Sequence, residues 1–339
     1  MRGCAGRPTI APVDSIPVID LSGLDEGPEA AAAVAESIDH ACRHVGFFTV
    51  VGHGVDPLLR HRLDALARAF FALPEERKAE VAMGHGGRAW RGWFPLGGEL
   101  TSGVPDRKEG LYFGTELGPD DPRVLAGLPL HGANLFPAEP EGLGACVLDY
   151  LDALCTLAQR ILSAMAVGLG LDPGWFASSL TADPTVLFRI FRYPAVEPGS
   201  EGWGVGPHTD YGLLTLLGQD GHEGLEVKVG EEWLAVPADP EAFVCNLGDM
   251  LERLTGGRYV STLHRVVNTS GAERLSFPYF FDPGFDARVE VLPIVARPEG
   301  PAAAERWDHA NLHGFSGSYG DYLTAKVGHV FPKLATEQL

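Results

Sequence analysis

Apolar and polar residues alternate through IPVIDLSGL at 16–24, the two-residue period of a short strand with one face buried. The period then lengthens. Val34, Ile38, Cys42 and Val45 recur at helical spacing through 28–45 and predict a helix that Gly46 stops. FFTVV at 47–51 is a continuous apolar run and predicts a buried strand closed by Gly52-His53-Gly54. Asp56-Pro57 opens a second helix, because Asp caps free N–H groups and proline suits the first helical position. Leu59, Leu63, Leu66 and Phe70 form its apolar stripe, and Pro74 ends it. The strongest helical signal runs over 141–169, with Leu151, Leu154, Cys155, Ala158, Ile161, Leu162 and Met165 spaced three and four apart.

A helix of that length needs a broad surface to lie on. The next stretch supplies one, as seven short apolar segments at 186–193, 213–217, 225–229, 233–236, 243–247, 260–267 and 274–281, separated by Gly, Pro and Asp. Such spacing predicts a jelly roll, and a last helix is expected at 319–331. The fold class is therefore mainly β with flanking helices. No repeat or Gly/Ser- or Pro-rich linker divides the chain, so 1–339 reads as one domain. Its parts are an N-terminal region at 15–140, a supporting helix at 141–170, a jelly-roll core at 184–300 and a C-terminal helix at 315–333.

Composition narrows the function. With 45 acidic against 26 basic residues the formal net charge is -19, which argues against nucleic acid and anionic membrane surfaces as partners. Five scattered cysteines (4, 42, 146, 155 and 245) form no CxxC pair and read as reduced thiols and small core residues. The N-terminus lacks a signal-like apolar core, and the longest uncharged apolar run, 161–171, is too short to cross a bilayer. The expectation is a cytoplasmic protein, a monomer or weak homodimer, acting on a small molecule.

The chemistry concentrates in the predicted strands. His208-Thr209-Asp210 is the one His-x-acid match in the chain, and its spacing on an extended segment sends an imidazole and a carboxylate to one side. His264 lies 54 residues after Asp210, on another predicted strand. Two histidines and a carboxylate on one face of a metal leave coordination positions open for co-substrate and oxygen, the arrangement of non-haem Fe(II) oxygenases, and the lack of cysteine ligands weighs against zinc. Arg274 and Ser276 share a strand face ten residues further on, and a guanidinium beside a hydroxyl is a receptor for a carboxylate. A short dicarboxylic keto acid would span the metal and that arginine. Tyr193 shares its strand face with Arg189 and Phe191, and its phenol is placed to reach the same carboxylate. Phe280 and Phe113 are expected as walls of the substrate pocket, Arg189 either clamps an acidic substrate or sits in a salt bridge, and further pocket residues are expected from 88–113, 127–137 and the C-terminal helix.

GPHTDYGLLTLL, FVCNLGDMLERLTGGRYVSTLHRVVN and RLSFPYFFDP resemble the iron- and 2-oxoglutarate-dependent oxygenases of the isopenicillin N synthase-like superfamily, and IPVIDLSGL, GFFTVVGHGV, FFALPEERK and DRKEGLYFG resemble their N-terminal region. The likeness covers 15–333 and is most specific over 186–283. It implies a distorted double-stranded β-helix with helices packed on one side, Fe(II) on His208, Asp210 and His264, and 2-oxoglutarate on Arg274, Ser276 and Tyr193, with O2 as oxidant. Plant members commonly carry Asn two residues before that tyrosine, where this chain has Phe191. The activity implied is hydroxylation, desaturation or cyclisation of a small molecule with release of succinate and CO2. Alternatives are a non-haem iron oxidase that does not use 2-oxoglutarate, as isopenicillin N synthase and aminocyclopropane carboxylate oxidase do, a catalytically silent metal-binding module, and a zinc hydrolase.

Overall fold

The computed structural model describes residues 15–101, 104–195, 204–267, 271–294 and 314–330. Cys4, the end of the expected core at 295–300 and residues 331–333 of the expected C-terminal segment lie outside them. The strands are β1 (Val18–Asp20), β2 (Phe47–Val51), β3 (Gly92–Phe94), β4 (Leu100–Thr101), β5 (Val104–Pro105), β6 (Glu109–Gly114), β7 (Thr185–Tyr193), β8 (Val205–His208), β9 (Leu214–Gln219), β10 (Leu225–Val229), β11 (Glu232–Ala235), β12 (Phe243–Leu247), β13 (His264–Val266) and β14 (Arg274–Asp282). The helices are α1 (Pro28–His44), α2 (Pro57–Phe71), α3 (Glu75–Lys78), α4 (Pro122–Leu125), α5 (Leu143–Gly168), α6 (Trp175–Ser178), α7 (Asp249–Leu254) and α8 (Tyr319–Val330).

Two sheets face each other as a jelly roll. The larger has eight strands in the order β1-β2-β12-β9-β14-β7-β6-β3, and the smaller has four in the order β11-β10-β13-β8. Local chemistry explains the element ends. Asp56 accepts a hydrogen bond from the Leu58 amide, and Pro57 opens α2. Gly46 turns the chain from α1 into β2 at φ +69°, where a Cβ would lie 2.2 Å from the Val260 carbonyl oxygen, so only glycine fits.

Alternation along the large sheet separates two environments. Phe113 on β6, Phe188 and Ile190 on β7, Leu216 on β9 and Tyr279 and Phe281 on β14 point to the helical side and are almost fully excluded from solvent. Each such side chain contributes about 1.5–3 kcal/mol by burial. Tyr150 of α5 packs on Phe188 with ring centroids 5.1 Å apart. By length and composition α5 would suffice to cross a bilayer; in this fold it is a core helix lying against α1, α2, β9 and β14. The opposite face of the sheet looks toward the small sheet and carries the chemistry.

Three differences from the sequence reading matter. The large sheet is not built from 184–300 alone, because β1 and β2, the strands expected at 16–24 and 47–51, extend one of its edges and β6 and β3 the other. β6 escaped prediction because it is buried on both faces and so lacks an apolar–polar alternation. The strand expected at 260–267 shrinks to β13, because the Val260 amide and the Thr262 hydroxyl donate to the Cys42 and Val45 carbonyls at the end of α1 instead of to a neighbouring strand.

Candidate metal centre and active-site cavity

His208 ends β8 and His264 begins β13, and the two stand directly opposite each other in the antiparallel pair. Their ring centroids are 4.2 Å apart. Asp210 follows β8 by two residues, with its Oδ1 3.9 Å from His208 Nε2 and 3.8 Å from His264 Nε2. One ligand atom from each residue lies within 4.8 Å of the others.

Each of the three side chains is held by one end and free at the other. His208 Nδ1 donates to the Gly206 carbonyl at 2.8 Å and His264 Nδ1 to the Thr262 carbonyl at 3.1 Å, so each Nε2 keeps its lone pair for an ion. Asp210 Oδ2 accepts from Thr215 Oγ1 at 2.5 Å and from Asn246 Nδ2 at 2.7 Å, which leaves Oδ1 toward the imidazoles. Burial, followed by the charge of His264, pushes His208 well below the ordinary histidine value and favours the neutral ring that a metal needs. Burial works to raise the Asp210 pKa but is outweighed by His264, His208 and the Asn246 and Thr215 hydrogen bonds, which hold the carboxylate ionised. Two imidazole nitrogens and one carboxylate oxygen, converging and unengaged, fit a divalent ion that prefers mixed nitrogen and oxygen ligands.

Across the cavity stands the inner face of the large sheet. Arg274 pairs with Tyr193, and Ser276 with Phe191 and Gln219. The Arg274 guanidinium is fully buried, lies 5.0 Å over the Tyr193 ring, and donates from Nε to the His222 carbonyl at 3.2 Å and from Nη2 to Gln219 Oε1 at 3.4 Å. Its Nη1 has no partner among the described residues. A buried charged donor left unmade is destabilising, which is the mark of a receptor for an absent acceptor.

The cavity has a volume of about 490 Å³ and is lined by His208, Asp210, His264, Arg274, Ser276, Tyr193, Arg189 and Phe280 together. Phe113 is not there. It stacks between Phe136 and Phe188 in the helical core, because it pairs with Phe188, one position out of phase with Arg189, and so faces away from the cavity. The expected contribution of 127–137 also fails, since none of those residues lines the cavity. Arg91 draws that segment aside, donating to the Leu130 and Gly132 carbonyls. The other two expectations hold, with Glu99, Leu100 and Lys108 from 88–113 and Leu323, Lys326 and Val327 from α8 in the lining.

Several functional neighbours escaped the sequence reading. Thr215 and Asn246 are buried polar residues on otherwise apolar strands, a signal that was available. Glu99 and Lys108 form a buried ion pair at 2.9 Å, with Asp106 2.5 Å from the same ammonium. That ammonium lies 4.6 Å over the Phe191 ring, so a cation borders the position where plant relatives place an amide. Asp282 closes the cavity near α8: its Oδ1 accepts from the Leu213 amide and its Oδ2 from the Tyr319 hydroxyl at 2.6 Å. Burial raises its pKa to about 7.

Known proteins match this geometry. Residues 16–139 match the family described as non-haem dioxygenase in morphine synthesis N-terminal, and residues 184–283 match the 2OG-Fe(II) oxygenase superfamily. A probable iron/ascorbate oxidoreductase of Dictyostelium discoideum is 42% identical over 96% of this chain and 98% of its own. A 1-aminocyclopropane-1-carboxylate oxidase from the same organism is 35% identical over 94% and 96%. The structure of a full-length Neurospora crassa protein in complex with alpha-KG and thymine superimposes with a TM-score of 0.79 at 26% identity, covering 94% of this chain and 98% of the other. The chain belongs to the 2OG-Fe(II) oxygenases of the isopenicillin N synthase-like superfamily, non-haem iron enzymes whose cofactors are Fe(II) and 2-oxoglutarate. Its jelly-roll fold is the fold of that class.

Proposed function

We propose that His208, Asp210 and His264 hold the iron, that Arg274, Ser276 and Tyr193 receive the distal carboxylate of 2-oxoglutarate, and that the rest of the cavity admits a small molecule for hydroxylation, desaturation or ring closure. In hydroxylation, one oxygen atom of O2 enters the substrate and the other enters succinate, with CO2 leaving from 2-oxoglutarate. Iron supplies the activation of oxygen when bound. The chain's own residues do the rest. The Nδ1 hydrogen bonds fix both rings, Thr215 and Asn246 fix the carboxylate, and Arg274 anchors the co-substrate by its charge. Leu187, Val205, Leu217, Leu225 and Phe280 line the space between and limit water.

The observation that carries this reading is the buried, unpartnered Nη1 of Arg274 facing the same cavity as the His-Asp-His cluster. Anaerobic titration of the Fe(II)-loaded protein with 2-oxoglutarate should develop a metal-to-ligand charge-transfer band, and addition of oxygen should release succinate. No band together with no succinate would favour an oxidase that works without 2-oxoglutarate.

A further inference from the structure

Two arginines project from the inner face of the large sheet, and they are satisfied to different degrees. Arg274 keeps two of its nitrogens bonded to protein. The Arg189 guanidinium, on β7, makes no hydrogen bond among the described residues, and its Nε is buried without a partner. Its ion-pair contact is with Glu99, Nη1 to Oε1 at 3.8 Å, beyond hydrogen-bond reach. Glu99 cannot come closer to serve it, because the Tyr112 hydroxyl donates to Oε1 and the Lys108 ammonium stands 2.9 Å from Oε2.

The faces of this guanidinium are also taken. Tyr112 lies on β6 and Phe280 on β14, the strands either side of β7, and their rings sit 4.2 Å and 4.8 Å from its Cζ. With the rings against it and Nε sealed from solvent, what meets the cavity is the Nη1–Nη2 end of the group, which carries charged donors. The side chain is 18% exposed, and that exposure is to the cavity it lines. An edge of paired, charged donors in a largely apolar cavity matches two acceptor oxygens in a plane.

We propose that Arg189 is the receptor for a carboxylate on the oxidised substrate, so that this enzyme acts on organic acids. This rests on the reading of the site given above and adds the substrate's chemical class to it. Arg189 stands opposite Pro278, four residues along β14 from Arg274, which is about 13 Å at the rise of a strand. An acid seated there does not compete with 2-oxoglutarate for Arg274. Its carboxylate would be fixed at one end while the carbon to be oxidised reaches toward the histidine side of the cavity.

The test uses the iron-loaded, 2-oxoglutarate-bound protein under anaerobic conditions, titrated with matched acids and primary amides: 3-phenylpropanoate against 3-phenylpropanamide, and octanoate against octanamide. The acids should perturb the charge-transfer band at concentrations at least about tenfold below the amides, as expected for a charge-assisted hydrogen bond. R189Q should erase that preference, R189K should restore part of it, and both variants should bind 2-oxoglutarate like the wild type and melt as folded proteins. Equal action of acids and amides, no action by any acid, or an acid preference that survives in R189Q overturns the proposal. Loss of 2-oxoglutarate binding in folded R189Q would overturn it as well, by showing that Arg189 serves the co-substrate. A wild-type protein that forms no band fails at the earlier step, and the carboxylate assignment falls with it.

Discussion

The two faces of the eight-stranded sheet are made from the same strands and follow opposite rules. On β7 the residues Phe188 and Ile190 are buried on the helical side, Phe188 against Tyr150 of α5, while Leu187, Arg189, Phe191 and Tyr193 look into the cavity. On β14 Tyr279 and Phe281 lie on the helical side, while Arg274, Ser276, Pro278 and Phe280 look inward. One face is closely packed and almost fully excluded from solvent. The other holds charged donors without acceptors at Arg274 and Arg189, which is tolerable because the packed face supplies the stability. Function and folding are thus interleaved residue by residue, and a substitution one position along should change a different property.

The largest effect is expected on the small-sheet side of the cavity, where H264A removes one of the three proposed iron ligands. Succinate formation should fall by more than the about 10–100-fold typical of losing an outer partner of a metal site, while the melting temperature of the metal-free protein stays close to wild type. If instead unfolding follows, the separation of the two faces is wrong. F188A makes the converse change. It should lower stability by about 3–5 kcal/mol in denaturant titration, and the surviving folded fraction should still bind 2-oxoglutarate. N246A tests the layer between. It leaves His208 and His264 in place and removes one of the two donors to Asp210, so Fe(II) affinity should drop about 10–100-fold with turnover recovered at high iron.

The smallest effect is a pH slope. Asp282 titrates at about 7 in the folded protein against an ordinary value of 3.8, so the native state binds this proton more tightly than the unfolded chain does. Its contribution to stability is therefore full at low pH and is lost as pH rises from about 4 to about 7, at no more than about 1.4 kcal/mol per pH unit. D282N should flatten the stability curve of the metal-free protein over that window, and an unchanged curve would show that this carboxyl is already ionised in the folded state.

Much of this was legible because it is written at short range. His208 and Asp210 are two residues apart, as are Arg274 and Ser276, and a strand's period of two then dictates which neighbours join them. The helices α1, α2 and α5 were visible for the same reason, within a residue or two at each end. What could not be read depends on pairing across long separations. Asn246 reaches Asp210 from 36 residues away, and Tyr319 reaches Asp282 from 37. Phe113 illustrates the failure most directly. Without knowing that 109–114 is a strand paired to β7, its phase could not be set, and Phe113 was expected on the sheet face that its neighbour Tyr112 shares with Arg189. The ionic cluster of Glu99, Asp106 and Lys108 was equally invisible, because charged residues in a short stretch between glycines read as surface.

The aim of the three proposed metal ligands is divided between the two sheets. Each histidine is oriented by a carbonyl two residues back along its own chain, whereas Asp210 is oriented by side chains of β9 and β12, in the other sheet. The pairing of β8 with β13 by itself brings two imidazoles to one point, an arrangement any nitrogen-seeking divalent ion can use. The oriented carboxylate, which shifts preference toward harder ions, depends on the two sheets facing each other. A preference for iron at this proposed site is thus a property of the closed roll and of neither sheet alone, and loosening the contact between the sheets should tilt the site toward copper or zinc.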